Sequence, residues 1–371
     1  MIKVLNIITD SNIGGAGRCL INYLRYCDRS NFEVKVILPR GSLLIPEVQA
    51  LDYSYIEADH IAERSFSPEA LGALLAIIRR ERPDIVHTHG SFSGRIAAKL
   101  AGCKVIYTRH GAFPVSPKLK SGPGHWLNGL INGFFAHQIV AVSPATAENL
   151  VESGVREKKI TVIANGVAQL PTVSPEKTRM LKAQWNLPEG TFVAGFPARL
   201  EVYKGHQLLL DAAARLKAQG RDFRILIAGS GTEEAAIQAK IQELDLSSHV
   251  LFLGFVEDMA GLFSVMDVQL NCSYESEACS LSIIEGMGAG VPAVASRCSG
   301  NPWLVADGVT GLLFENNDSA DLARKLAFLM DHPEQLESMR LASLQAYQRR
   351  FTGEIFAANL ESLYQNTLNR K

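Results

Sequence analysis

The chain lacks the features that mark secreted, zinc-binding, nucleic-acid-binding or membrane-spanning proteins. Its six cysteines form no CxxC pair, which argues against a disulfide framework or a zinc site and fits a reducing cytosol. The 37 Lys and Arg nearly balance the 38 Asp and Glu, so no general basic field attracts nucleic acid, and we expect no nucleic-acid partner. No apolar run approaches the roughly 20 residues of a membrane-spanning helix. The N-terminal MIKVLNIITD is too short and alternating for a signal peptide, so we expect a cytoplasmic protein.

What the sequence does contain is a repeated alternation of short β-branched runs and longer amphipathic stretches. The runs KVLNII, FEVKVIL and DIVHTH lie in the first half, and FVAGFPA, FRILIAG and VQLNCS begin the pattern again in the second. Such alternation is typical of βαβ units around a parallel sheet, and 371 residues are enough for two cores. We predict an α/β protein with two Rossmann-like, doubly wound domains, at 1–170 and 171–350. A helix at 351–371 follows and can pack back on the N-terminal domain.

Open α/β sheets bind ligands at the carboxyl ends of their strands, so two such domains predict a central cleft that holds the ligand. The first candidate there is DSNIGGAGR, which lies between the first strand and the first helix. Gly14 and Gly15 let the backbone approach a ligand, and the helix N-terminus behind them favours a phosphate. The alternative is a glycine turn that only allows the helix to pack. The motif is not GxGxxG, which disfavours a nicotinamide site.

A pair of cations follows the first strand of the second domain, in FPARLEVYKGHQLLLDA. Arg199 offers a planar fork of donors and Lys204 a compact charge, a combination that suits a diphosphate leaving group. The alternative is that both are ordinary solvated loop cations. Their position at the carboxyl end of a strand favours the diphosphate.

Two carboxylates stand eight positions apart in ESEACSLSIIEGMGAGVPAVAS. Glu277 falls in a loop after a strand, and Glu285 falls in the helix that begins near Ser280, so the two can accept hydrogen bonds from the diols of a sugar and a ribose. The backbone amides from Cys279 through Ser282, at the helix start, can meet a diphosphate. Helix capping is the alternative, but it explains Glu277 and not Glu285.

The histidines raise the question of a metal, because HTHG resembles a ligand pair. We expect His87 and His89 to point to opposite faces of a strand and not to share an ion. His89 and Gly90 are candidates for the acceptor side of the cleft, and His110, at another strand end, is the better catalytic candidate. No DxD pair accompanies the donor motifs, so we expect neither a metal nor a cofactor.

Taken together, these motifs resemble the signature of family 4 glycosyltransferases, which have the GT-B fold. The resemblance rests on GGAGR, DIVHTHGSFSGRIAA, VIYTRHG, IVAVSPATAENL, VIANGV, ARLEVYKGHQLLLDA, LIAGSGTEE and EACSLSIIE, which occur in family order over nearly the whole chain. It implies a retaining enzyme that moves a sugar from a nucleoside diphosphate, with a UDP-sugar favoured, to an acceptor hydroxyl. Cell-envelope or exopolysaccharide synthesis is the expected setting, with a glycan or lipid-linked acceptor.

The resemblance also implies a role for each candidate residue. The donor sugar is expected at Glu277, the ribose at Glu285, and the diphosphate at Arg199 and Lys204. The reacting sugar is expected against His110. The remaining assignments are the donor-binding Gly14, Gly15, Cys279, Ser280 and Leu281, and the acceptor-side Arg18, His89 and Gly90.

Two other functions stay open at this stage. A sugar-nucleotide epimerase or hydrolase could have the same domains, but it would need carboxylates placed to move a proton or activate water. A noncatalytic glycosyltransferase-like subunit is the other, although Glu277, Arg199 and Lys204 are all present. Trp303 stands where the family usually has a glutamate.

The segment 114–138 is a candidate for peripheral membrane contact. It combines Lys118, Lys120 and Trp126 with several apolar residues at helical spacing. Such a stretch can dock on an anionic membrane surface and receive a lipid-linked acceptor. The alternative is an ordinary loop and packed helix.

Overall fold

A computed structural model describes residues 1–369 of the chain. The chain divides into two compact units. Unit 1 comprises Met1–Val167 and the C-terminal segment that begins at Phe351, and unit 2 comprises Ala168–Arg350.

Unit 1 is built on a parallel sheet of seven strands, in the order β3-β2-β1-β4-β5-β6-β7. The strands are β1 (Ile2–Ile8), β2 (Phe32–Pro39), β3 (Ser54–Ala58), β4 (Ile85–His89), β5 (Lys104–Arg109), β6 (Gln138–Ala141) and β7 (Ile160–Val162). The connecting helices are α1 (Gly15–Tyr26), α2 (Ile45–Ala50), α3 (Pro68–Glu81), α4 (Phe92–Leu100), α5 (Pro117–Lys120), α6 (Gly122–Phe135) and α7 (Pro144–Glu152). The central strands are buried on both faces, which explains why they read as near-continuous apolar runs.

Unit 2 repeats the plan with six parallel strands, in the order β10-β9-β8-β11-β12-β13. The strands are β8 (Phe192–Pro197), β9 (Phe223–Ala228), β10 (Val250–Gly254), β11 (Val268–Asn271), β12 (Ala293–Ser296) and β13 (Gly311–Phe314). The helices are α8 (Pro175–Gln184), α9 (His206–Ala218), α10 (Glu234–Glu243), α11 (Met259–Ser264), α12 (Leu281–Gly288), α13 (Asn301–Leu304), α14 (Ser319–Asp331) and α15 (Pro333–Arg350).

The last helix, α16 (Gly353–Asn369), belongs to unit 1 although it follows unit 2 in the chain. Its apolar side joins the core beside α1 through Phe356, Leu360 and Tyr364. The Tyr364 ring meets the Tyr23 ring edge-on, with centroids 6.0 Å apart. Burial of these side chains accounts for the return of the chain to unit 1.

In each sheet the strand order reverses beside the first strand, between β1 and β4 and between β8 and β11. Connections leave to opposite sides at this point, so the carboxyl ends of the two strands form the crevice where doubly wound folds bind ligands. The predicted α/β class with two Rossmann-like, doubly wound domains is confirmed. Among residues 1–369, no helix has both the length and the apolar composition needed to cross a membrane.

Candidate active site

The strongest candidate site in unit 2 is a buried ion pair at the strand-order reversal. Lys204 closes a short 3₁₀ turn, Val202–Lys204, after β8. Glu277 follows β11, the neighbouring strand. The Lys204 Nζ lies 2.7 Å from Glu277 Oε2, and both side chains are largely buried. The structure therefore brings together two of the predicted residues that lie far apart in the sequence.

The backbone at Gly205 makes this pairing possible. Gly205 has φ +81°, in the left-handed region that favours glycine, and it begins the turn into α9. A Cβ at this position would lie 2.2 Å from the carbonyl oxygen of Cys272, at the end of β11. The close approach of the two backbones requires a residue without a side chain, and it places Lys204 over the end of the neighbouring strand.

The Glu277 carboxylate is held by two further donors. Asn271 Nδ2 lies 3.1 Å and Ser273 Oγ 2.9 Å from the same oxygen, Oε2. Its other oxygen, Oε1, accepts no hydrogen bond from residues 1–369. One oxygen thus anchors the side chain, and the second can accept from a ligand.

Burial raises the pKa of the Glu277 carboxyl, but the charge and hydrogen bond of Lys204, with the bonds from Asn271 and Ser273, outweigh it. The net result is a pKa below the usual range. Glu277 is therefore ionised at neutral pH and suited to accept hydrogen bonds from hydroxyls. It is not suited to donate a proton.

The N-terminus of α12 lies next to this carboxylate. Ser280 is the N-cap, and its Oγ accepts from the amide of Ile283 at 3.4 Å. The same Oγ lies 3.2 Å from Asn271 Nδ2, so Asn271 links the cap to Glu277. Leu281 is the first helical residue, and Cys279, just before the cap, is buried. The helix start therefore offers backbone amides and positive dipole character beside the ion pair.

The other two candidates in unit 2 are Glu285 and Arg199. Glu285 is half-buried in the second turn of α12. Arg199 is exposed in the loop after β8, where its Nη2 lies 2.6 Å from the hydroxyl of Tyr203. The roles of both residues remain predictions. Trp303, in α13, has the Arg350 guanidinium 4.9 Å from its ring centroid.

The glycines between β1 and α1 have different surroundings, which bear on whether they bind a ligand or only allow the helix to pack. Gly14 is the N-cap of α1, and Gly15 is its first residue. Apart from its chain neighbours and the nearby backbone of its own helix, a Cβ on Gly15 would meet no atom of residues 1–369 within 4 Å, so that position faces open space. A Cβ on Gly17 would instead lie 2.8 Å from Leu44 Cδ2. Packing thus explains Gly17, and an approaching ligand remains the prediction for Gly14 and Gly15.

The predicted acceptor-side residues lie in α1 and at the end of β4. Arg18 turns toward α2, with its Nη1 3.0 Å from Glu47 Oε2. Gly90, directly after β4, has φ +84°, which explains a glycine there. His89, the last residue of β4, is buried. Their assignment to an acceptor remains a prediction.

The expectation that His87 and His89 point to opposite faces is wrong. Residues two apart on a strand share a face, and the two ring centroids lie 4.4 Å apart. Each ring has its own polar partners: His87 contacts Tyr364 and Thr108, and His89 contacts His110 with its Nδ1 2.8 Å from His110 Nε2. Two residues predicted for separate roles are therefore hydrogen-bonded to each other.

Sequence reasoning missed the polar residues that hold these groups. Asn271 and Ser273 orient Glu277, and Asn6 lies 3.3 Å from His89 through its Oδ1. A signal was present in each case, because Asn6 is the single polar residue in VLNII and Asn271 ends the buried strand VQLN. A polar side chain in a strand buried on both faces is costly unless it is hydrogen-bonded.

This fold and these groups define an α/β enzyme whose ligand binds at the carboxyl ends of parallel strands. The chain matches the model of Glycosyltransferase Family 4 over residues 13–168 and that of Glycosyl transferases group 1 over residues 177–345. The protein EpsD of Bacillus subtilis (strain 168), named as a glycosyltransferase, is 32% identical over 289 residues, which are 74% of this chain and 75% of EpsD. The chain belongs to family 4 of the glycosyltransferases and is a glycosyltransferase.

Further relatives agree with the family and the fold. The N-acetyl-alpha-D-glucosaminyl L-malate synthase of Bacillus anthracis is 27% identical over 308 residues, 81% of this chain and 79% of the synthase. A glycosyltransferase structure from Rickettsia africae ESF-5 superimposes with a TM-score of 0.87 at 22% identity and covers all of both chains. The structure of Anabaena HepE in complex with UDP has a TM-score of 0.84 at 23% identity, covering 98% of this chain and 100% of HepE. Both structures share the GT-B fold.

Proposed function

We propose that this glycosyltransferase moves a sugar from a UDP-sugar to an acceptor hydroxyl with retention of the anomeric configuration. The expected setting is the synthesis of a cell-envelope or exopolysaccharide glycan at the cytoplasmic face of the membrane. The observation that carries the donor side is the buried pair of Lys204 and Glu277 beside the N-terminus of α12. The choice of a UDP-sugar as the donor is supported by HepE, whose structures contain UDP and UDP-glucose.

The chemistry follows from the charges of these groups. Lys204 and the first amides of α12 stabilise the negative charge that develops on the diphosphate as the bond to the sugar breaks, and Arg199 adds a second cation. Glu277, ionised and with Oε1 open to a ligand, accepts hydrogen bonds from sugar hydroxyls. In this proposal the leaving diphosphate takes the proton of the acceptor hydroxyl. The protein supplies no covalent nucleophile, and neither a metal nor a cofactor is needed.

A donor screen tests this proposal directly. The purified full chain is incubated with UDP-, GDP- and ADP-sugars, and release of the nucleoside diphosphate is followed with and without a hydroxylated acceptor extract. We expect slow release from a UDP-sugar that the extract accelerates and that Lys204→Ala abolishes. Rapid release without acceptor would indicate a hydrolase. If no donor is turned over or raises the melting temperature, the noncatalytic interpretation takes the place of this proposal.

For the acceptor, the proposal is a lipid-linked glycan that the enzyme meets at a membrane surface, which it contacts through α6. This helix contains no Asp, Glu, Lys or Arg, and its outward side is formed by four exposed large side chains. We call this the α6 apolar face: Trp126, Leu127, Leu130 and Phe134. The inward side includes both polar and apolar contacts: Asn128 donates to the Ser153 carbonyl, Asn132 accepts from Arg95, and the Phe135 ring meets the Phe92 ring edge-on. Four exposed large apolar side chains on one side of a helix are unusual for a surface that faces only water.

Cations border the α6 apolar face. Lys99 Nζ lies 5.1 Å from the ring centroid of Phe134, and α5, which carries Lys118 and Lys120, directly precedes α6. Lys120 is paired with Glu152. An apolar patch with a tryptophan and neighbouring lysines fits the surface of an anionic bilayer, where the apolar side chains enter the headgroup region and the lysines face the phosphates.

Removal of this patch should release the protein from membranes. We expect the wild-type chain to sediment with vesicles of phosphatidylglycerol and phosphatidylcholine, and Trp126→Ser/Phe134→Ser to stay largely in the supernatant. Leu341→Ser is the matched control, because Leu341 is 58% exposed on α15 in unit 2 and should not affect sedimentation. Equal sedimentation of the double variant would contradict the proposal. A dimer that the double variant loses would assign the face to a second copy of the chain.

A further inference from the structure

A line of hydrogen bonds inside unit 1 ends at His110. His89 Nδ1 lies 2.8 Å from His110 Nε2, and His89 Nε2 lies 3.3 Å from Asn6 Oδ1. Asn6 lies in β1 and is fully buried, and His89 ends the adjacent strand β4. His110 follows β5, which pairs with β4. Two neighbouring strands and the residue after a third thus form a continuous line of hydrogen-bonded side chains.

The direction of these hydrogen bonds is set at the Asn6 end. A carboxamide oxygen can only accept, so the proton must be on His89 Nε2. A neutral imidazole carries one proton, which leaves His89 Nδ1 as an acceptor for the proton on His110 Nε2. The remaining nitrogen of His110, Nδ1, is then unprotonated and can only accept. Burial lowers the pKa of His110 to about 4 and that of His89 well below its usual range, so both rings are neutral at pH 7.

We propose that Asn6 and His89 are positioning residues that hold His110 in its Nε2-protonated tautomer, so that its Nδ1 accepts a hydrogen bond from a hydroxyl of the transferred sugar. The inference rests on the proposed function and on the predicted contact of His110 with the reacting sugar. Protonation of Nδ1 instead would present a donor to the hydroxyl. The tautomer therefore decides how the sugar is oriented.

Asn6 lowers the stability of the fold through a buried, unpaired donor, and this supports a functional role for the residue. Its Nδ2 has no hydrogen-bond partner within residues 1–369, although the residue is fully buried. Asn6 also borders a cavity of about 10 Å³, together with Cys19 and Thr108. An apolar residue would satisfy packing at the centre of β1 without a buried unpaired donor. What leucine cannot supply is the fixed acceptor for His89.

A neighbouring pair of residues provides the matched control. His87 Nδ1 lies 2.7 Å from Tyr364 Oη, and His87 Nε2 lies 2.6 Å from Thr108 Oγ1. His87 packs against the His89 ring, but its two ring nitrogens are hydrogen-bonded to these two hydroxyls, which can donate or accept. Tyr364→Phe therefore removes an equally buried hydrogen bond beside the line without touching the line itself.

The experiment compares wild type, Asn6→Leu, Asn6→Asp and Tyr364→Phe as full chains labelled with ¹⁵N-histidine. Long-range ¹H–¹⁵N spectra report the tautomer of His110, and kcat and KM are measured with the donor found in the screen. We expect His110 to be protonated on Nε2 in wild type and to lose this tautomer in Asn6→Leu. In that variant kcat should fall about tenfold while KM stays nearly unchanged, because one hydrogen bond is lost in the transition state. Asn6→Asp keeps an acceptor oxygen and should retain the tautomer, and Tyr364→Phe should retain both tautomer and kcat.

The NMR spectrum of His110 in wild type tests the proposed tautomer even if a variant is unstable. An Nδ1-protonated His110 in wild type would overturn it, as would Asn6→Leu with an unchanged tautomer and kcat. A fall in kcat equal in Asn6→Leu and Tyr364→Phe would also overturn it, because it would indicate a general packing effect. If wild type turns over no donor, the proposed function fails, while the spectra still decide whether Asn6 fixes the tautomer.

Discussion

Replacing Glu277 by glutamine is expected to lower kcat/KM for the sugar-nucleotide donor about 100-fold or more, which corresponds to about 2.7 kcal/mol of transition-state stabilisation. The substitution keeps the shape of the side chain and an acceptor for Asn271 and Ser273, but it removes the charge that pairs with Lys204. Steady-state kinetics with the donor from the screen measure the effect, and the melting temperature reports how far the fold is weakened.

Glu275→Gln is the matched control for this prediction. Glu275 is exposed and stands two positions from Glu277 in the same loop, so its replacement should leave kcat/KM within about twofold, as is usual for an exposed surface position. Lys204→Met should resemble Glu277→Gln, and the double variant should lose less than the product of the two single losses, because the residues act as a pair. An unchanged kcat/KM in Glu277→Gln would remove this carboxylate from the donor site.

The second large effect is a loss of stability in acid that originates in buried histidines. Burial lowers the pKa of His87 to about 3, and burial with the charge of Lys204 lowers that of His206 to about 4. Between the ordinary histidine value near 6.5 and these lowered values, the unfolded chain binds more protons than the folded one. Stability therefore falls as pH decreases from about 6.5 toward 4. Each such histidine contributes about 1 kcal/mol of loss between pH 6 and pH 5.

His206→Leu isolates one of these contributions. The His206 ring packs 4.5 Å from the Phe196 ring, centroid to centroid, and neither of its nitrogens has a hydrogen-bond partner within the described chain. Leucine should leave stability at pH 7 equal or higher, since it removes two unpaired polar atoms. Urea unfolding at pH 7, 6 and 5 should show a pH dependence shallower than that of wild type by about one proton. A variant with the same slope as wild type would show that His206 is not the titrating group.

The fold could be predicted largely from local patterns. Runs such as KVLNII and FVAGFPA are apolar because central parallel strands are buried on both faces, and the glycines after β1 and the serine before α12 indicate where helices begin. The same patterns located the candidate residues of unit 2, because ligand-binding residues of doubly wound folds follow strand ends.

The partners of those residues could not be predicted in the same way. Lys204 and Glu277 are separated by 73 positions, and Asn6 and His89 by 83. Their contacts depend on which strands are neighbours and in which register, and that is fixed by the packing of whole sheets. The face shared by His87 and His89 follows from the strand period alone, and there the prediction was wrong although the information was present.

The sequence by itself determined the fold class, the family and the identity of the candidate residues, because strand burial, helix starts and motif order are local properties of the chain. Only the tertiary structure decided that Lys204 neutralises Glu277, that Arg18 faces Glu47, and that His110 is tied to Asn6 through His89. These are contacts between separate elements. Their geometry depends on which strands pair and on how closely the backbones approach. The pattern of residues along the sequence does not contain this information.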